Sequence, residues 1–85
     1  MIKAKYEIRI TSKSEILLLK KYSTKSEAIS MYEKIPKVKS KINYPDLQLN
    51  QVNFSVEGDI IDNVTIKKNH LNINKITVDK LRDLL

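Results

Sequence analysis

Residues 2–11 read Ile-Lys-Ala-Lys-Tyr-Glu-Ile-Arg-Ile-Thr, and their alternation decides the fold. Ile2, Ala4, Tyr6, Ile8 and Ile10 share one parity; Lys3, Lys5, Glu7, Arg9 and Thr11 share the other. Successive side chains of an extended chain point to opposite faces, so this is the period of a half-buried strand. The polar tetrad Thr11-Ser12-Lys13-Ser14 then turns the chain, without the glycine of a tight primed hairpin. Glu15 to Tyr22 follows and holds the aliphatic run Ile16 to Leu19. A run that is apolar on both parities predicts a central strand, covered on both sides.

Thr24-Lys25-Ser26-Glu27 spells a capping box, in which the Thr24 hydroxyl accepts from a first-turn amide. Ala28, Met31, Tyr32 and Ile35 follow as one helical stripe, and Pro36 ends it. Lys37 to Ile42 alternates again; if extended, it projects Lys37, Lys39 and Lys41 to one side. Asn43-Tyr44-Pro45-Asp46 is a turn. The strand expected from Leu47 to Val56 slips phase, because Leu47 and Leu49 do not share parity with Val52, Phe54 and Val56. A bulge or break near Asn50-Gln51 would reconcile them. Glu57-Gly58-Asp59 reads as a hairpin turn, Ile60 to Lys67 as the returning strand, and His70 to Asn74 as a short edge strand. Thr77 to Leu85 reads as a terminal helix burying Val78, Leu81, Leu84 and Leu85. The expected class is α+β, in the order ββα-β-ββ-α: a small, mainly antiparallel sheet with one or two helices packed on one face. Residues 1–85 are too few for more than a single domain.

Composition removes several chemistries. One glycine, Gly58, cannot write a dinucleotide fingerprint or a phosphate loop. One histidine, His70, and no cysteine leave no zinc finger, thiol nucleophile or disulfide scaffold. No apolar leader precedes the first strand, and the longest aliphatic run is far short of the ~20 residues a membrane span needs. A soluble, cytoplasmic protein without membrane contact is therefore expected. His70 has no marked nucleophile beside it, and Glu57, Asp59 and Asp62 lack calcium-loop spacing. No enzyme activity, metal or cofactor is expected.

Charge is the sharpest signal. The net charge is +6 and lies unevenly: residues 1–41 carry +7 and residues 42–85 carry −1. Such asymmetry suits an anionic partner, either nucleic acid or an acidic protein surface. Lys34, Lys37, Lys39 and Lys41 lie close together, with no acid between Glu33 and Asp46. On extended chain alternate residues stand ~6.6 Å apart, near the spacing of phosphates along a strand. Lys20, Lys21 and Lys25 would widen that patch, and Tyr44 is the ring best placed to stack. The outward parity of the first strand, Lys3, Lys5 and Arg9 interrupted by Glu7, is a second basic surface, here read as ordinary solvent-facing alternation. Arginine occurs only at Arg9 and Arg82, so recognition would rest on phosphates, not on bidentate reading of bases.

The expected function is a small basic accessory protein that binds DNA or RNA through phosphates with little sequence specificity. The alternative is a phage or mobile-element type of inhibitor (anti-CRISPR-like) or adaptor, docking on a host nucleic-acid-handling complex. A homodimer, completing the burial of the second strand or the terminal helix, is compatible with both.

Overall fold

Two strands, a helix, three strands and a second helix follow one another along the chain. In chain order they are β1 (Lys3–Ser12), β2 (Glu15–Tyr22), α1 (Lys25–Glu33), β3 (Lys37–Val38), β4 (Asp46–Phe54), β5 (Ile60–Leu71) and α2 (Val78–Leu84). The computed structural model describes residues 3–39 and 42–85. The strands form one five-stranded sheet in the order β2-β1-β4-β5-β3, antiparallel at every pairing. No helix among the described residues is long and apolar enough to cross a membrane.

β1 sits between β2 and β4, and its even-numbered residues face the helices. Ile8 lies opposite Leu49 and Ile10 opposite Leu47. Directly opposed residues of an antiparallel pair share a face, so these four form the apolar floor on which the helices rest. Ala28 and Tyr32 of α1, Ile35 just beyond it, and Leu81 of α2 join the same buried cluster. The Thr24 hydroxyl accepts from the Glu27 amide at 3.3 Å, and Thr77 caps α2 by accepting from Lys80 at 3.2 Å. The Tyr32 hydroxyl donates to the Leu47 carbonyl at 3.2 Å and accepts from the Asn69 side-chain amide at 3.0 Å. It thereby ties α1 to both β4 and β5.

Several expectations are corrected. β2 is an edge strand, not a central one. Leu18 and Tyr22 enter the core, while Ile16 and Leu19 remain exposed on the side that no helix covers. The β1–β2 turn is tight despite lacking glycine: Ser12 pairs with Glu15, and Lys13 and Ser14 between them both hold positive φ, 51° and 65°. β3 covers Lys37–Val38 alone, and Ser40 and Lys41 lie outside the described residues. β5 runs unbroken to Leu71, absorbing the polar stretch that composition assigned to a separate edge strand; backbone pairing with β4 is indifferent to side-chain polarity. In α2, Leu84 is exposed and not inward.

The phase slip in β4 has a different cause from the one expected. β4 pairs with β1 in unbroken register, and the extra residues sit in β5, where Ile66 and Ile61 are skipped. Leu47 and Leu49 face the helices, whereas Val52 and Phe54 face the other side. The apolar parity changes sides because the sheet outruns its helices. Beyond Leu49 the helix-side positions of β4 are Gln51 and Asn53, bonded to each other at 2.9 Å. The twelve residues of β5 extend the molecule to 42 Å along its longest axis.

Candidate functional site

The side of the sheet without helices is built from the odd positions of β1 and their neighbours. Four rows cross it: Leu19–Arg9–Gln48–Lys68, Lys21–Glu7–Asn50–Thr65, Lys5–Val52–Asn63 and Lys3–Phe54–Ile60. A fifth, Ile16–Thr11–Asp46–His70, closes one end. Adjacent strands lie ~4.8 Å apart, so Lys21 on β2 and Lys68 on β5 stand about three strand spacings apart, with Arg9 between them.

The floor of this side is polar and closely packed. Glu7 is 7 % exposed, Asn50 2 % and Val52 3 %, although no helix lies over them. Such burial on a bare sheet follows from curling, which brings flanking side chains over the middle. The Glu7 carboxylate accepts from Arg9 at 2.8 Å, so the acid that interrupts the basic parity is neutralised within its own strand. The Asp46 carboxylate lies within hydrogen-bond distance of His70, 3.0 Å from its Nε2, and Nδ1 of the same ring lies 3.4 Å from the Lys39 carbonyl. Lys3, Lys5, Lys21 and Lys68 are exposed and make no ion pair among the described residues. Hollows mark both ends: one of about 510 Å³ lined by Thr11, Ser12, Lys13, Asn43, Tyr44 and Asp46, and one of about 350 Å³ lined by Lys3, Lys5, Phe54, Ser55, Val56 and Gly58.

Of the lysine row singled out by sequence, Lys37 is the member whose side chain is engaged by a neighbouring element. Lys37 folds back on the end of α1, donating to the carbonyls of Tyr32, Glu33 and Ile35 at 3.0, 3.3 and 2.8 Å. Its ammonium lies 5.1 Å from the centre of the Tyr32 ring. It closes carbonyls that the helix leaves open, and a cation there complements the helix dipole. Partial burial lowers its pKa, with the nearby Glu33 acting in the opposite direction. Lys34 caps α1, and Lys39 follows β3, exposed; Lys41 lies outside the described residues. Lys20 pairs with Ile8 and so takes helix-side parity, Lys25 opens α1, and Lys21 alone of that trio reaches the helix-free side. Tyr44 lines the hollow at the Asp46 end, its hydroxyl accepting from the Asn74 side-chain amide.

From sequence, Lys3, Lys5 and Arg9 read as solvent-facing alternation, and Lys68 is not singled out. The alternation of β1 already placed the first three together. Lys68 joins them only through the β4–β5 register, in which the skipped Ile66 sets which lysine of the Lys67-Lys68 pair faces which side. Lys67 takes the helix side and meets Glu33 at 2.6 Å, which holds that carboxyl below its ordinary pKa. Among the described residues no group of three or more His, Cys, Asp or Glu side chains is placed to hold a metal ion. Compared with known proteins, the chain matches no family model, no curated protein and no solved structure.

Proposed function

We propose that this chain is a small basic protein that binds nucleic acid through its phosphates, with little dependence on base sequence, and that the helix-free side of the sheet is the surface that does so. One observation carries the reading. Lys3, Lys5, Lys21 and Lys68 project from three strands onto the one side without helices, and the acids among them, Glu7 and Asp46, are already engaged. Lysines of this kind neutralise phosphates as point charges and release condensed counterions. Beside them, Gln48, Asn63 and Thr65 add polar side chains on the same side that can hydrogen-bond to sugar and phosphate oxygens.

Fluorescence anisotropy with a labelled oligonucleotide, titrated at several salt concentrations, tests this. Engagement of about four phosphates gives a log–log slope near −3 to −4 on duplex DNA. Absence of binding at low salt, or binding that salt leaves unchanged, would overturn the proposal.

A further inference from the structure

The two outer strands of the sheet are finished differently. β2 carries the charged side chains Glu15, Lys20 and Lys21, and the Arg82 guanidinium of α2 reaches across to the Leu17 carbonyl at 3.2 Å. Charge and a covering helix are the usual means of blunting a sheet edge. On the other side β3 pairs only with His70 and Leu71, so from Ile60 to Asn69 the outer edge of β5 has no strand partner among the described residues. Three exposed side chains there are apolar, Ile60 at 66 %, Ile61 at 52 % and Val64 at 49 %, and they stand among the polar Asp62, Asn63 and Thr65. Between the skipped residues Ile61 and Ile66, the segment Asp62–Thr65 keeps regular register.

We infer that this edge pairs with the same edge of a second copy of the chain, β5 against β5 in antiparallel sense, about a two-fold axis at Val64. A two-fold normal to the sheet keeps each side of the sheet on its own side, so paired residues must share parity. Helix-side positions along this stretch are Asp62, Val64 and Lys67, and helix-free positions are Asn63 and Thr65. With Val64 opposite its own counterpart, Asn63 faces the partner's Thr65. Counting out the bulged Ile66, Asp62 faces the partner's Lys67. Each neighbour is then complementary: apolar on apolar, amide on hydroxyl, carboxylate on ammonium. Lys67 already meets Glu33 at 2.6 Å, so the partner's Asp62 would join an existing ion pair. This self-complementarity in charge selects a second copy over an unrelated strand, since one strand supplies acid and base at mirrored distances from Val64. The product is a continuous ten-stranded sheet with both helix layers on one side and both basic surfaces on the other. The inference rests on the edge alone and stands apart from the nucleic-acid reading.

Sedimentation across a wide concentration range, without nucleic acid, tests it. A dimer of the 9.9 kDa chain is expected, lost on Val64→Lys, which opposes two ammonium groups at the axis. Val64 is half exposed, so circular dichroism of the variant should be unchanged. The chain has no cysteine, which allows a second test. Opposed Cβ atoms lie ~4.5–5.5 Å apart in an antiparallel pair, so Val64→Cys should form a disulfide-linked dimer on mild oxidation. Leu19→Cys on the blunted edge should not. A single 9.9 kDa species at every concentration, a dimer that survives Val64→Lys, or equal cross-linking at both positions would overturn the inference.

Discussion

Leu49 and Val52 stand three residues apart on β4, and both are buried, but by different means. Leu49 belongs to the main core cluster on the helix side, while Val52 lies outside that cluster on the opposite side of the sheet. The helix-covered side hides an apolar floor and holds two lysines in structural roles: Lys37 closes α1 and Lys67 meets Glu33. On the bare side a polar floor is buried, and Lys3, Lys5, Lys21 and Lys68 make no ion pair among the described residues. Burial by itself therefore does not mark the core of this protein. What marks it is contact with a second layer.

The largest expected effect contrasts these two positions. Leu49→Ala removes side-chain volume from beneath a helix and should destabilise by about 3–4 kcal/mol. Val52→Ala, on a side free to relax, should cost about half that. Urea unfolding of both variants measures the difference; equal losses would erase the distinction between the sides. Next comes the distribution of charge. Lys5→Glu, Lys21→Glu and Lys68→Glu together should weaken oligonucleotide binding by at least about tenfold, corresponding to about 1.4 kcal/mol. Lys20→Glu, Lys25→Glu and Lys34→Glu together alter net charge equally and should act less. If the second set matters as much as the first, only overall charge is being sensed and not a surface.

Smaller effects sharpen the contrast. Lys37→Met removes a cation that donates to three carbonyls at the end of α1 and should cost about 1 kcal/mol of stability, with oligonucleotide affinity little changed. Replacing Lys13-Ser14 by Asn-Gly relieves two positive φ values in the β1–β2 turn and should stabilise by about 1 kcal/mol, read as a higher urea midpoint. The smallest effect is that of the exposed Glu33–Lys67 pair. Lys67 lowers the folded-state pKa of Glu33, so the pair's contribution is complete above the ordinary carboxylate pKa and fades as pH falls through the lowered value. The stability gap between the native chain and Lys67→Met should thus be present at about pH 7 and close by about pH 2.

Local pattern was readable wherever one side of an element is apolar and the other polar. β1 and α1 are of that kind: alternation needs only the pleat, and the Thr24 cap with the Ala28–Tyr32 stripe needs only helical pitch. β2 misled because exposed aliphatics at an edge look in sequence like the residues of a buried strand. For the lysine row the facing of each side chain is not a local matter. Closeness along the chain put Lys34, Lys37 and Lys39 together, but a flexible four-carbon side chain takes whichever acceptor lies in reach, and for Lys37 that is the open end of the preceding helix.

Residue order alone dictates that the chain makes strands and helices of mixed class, that the first strand has one apolar and one basic side, and that Pro36 and Pro45 bound the segment between the first helix and the fourth strand. These follow from steric and solvation preferences acting over a few neighbouring residues. Only the tertiary structure decided which basic residues share a surface and which strand edge lies open. Both depend on strand order and on the two residues skipped in β5, which set the facing of side chains brought together from opposite ends of the chain.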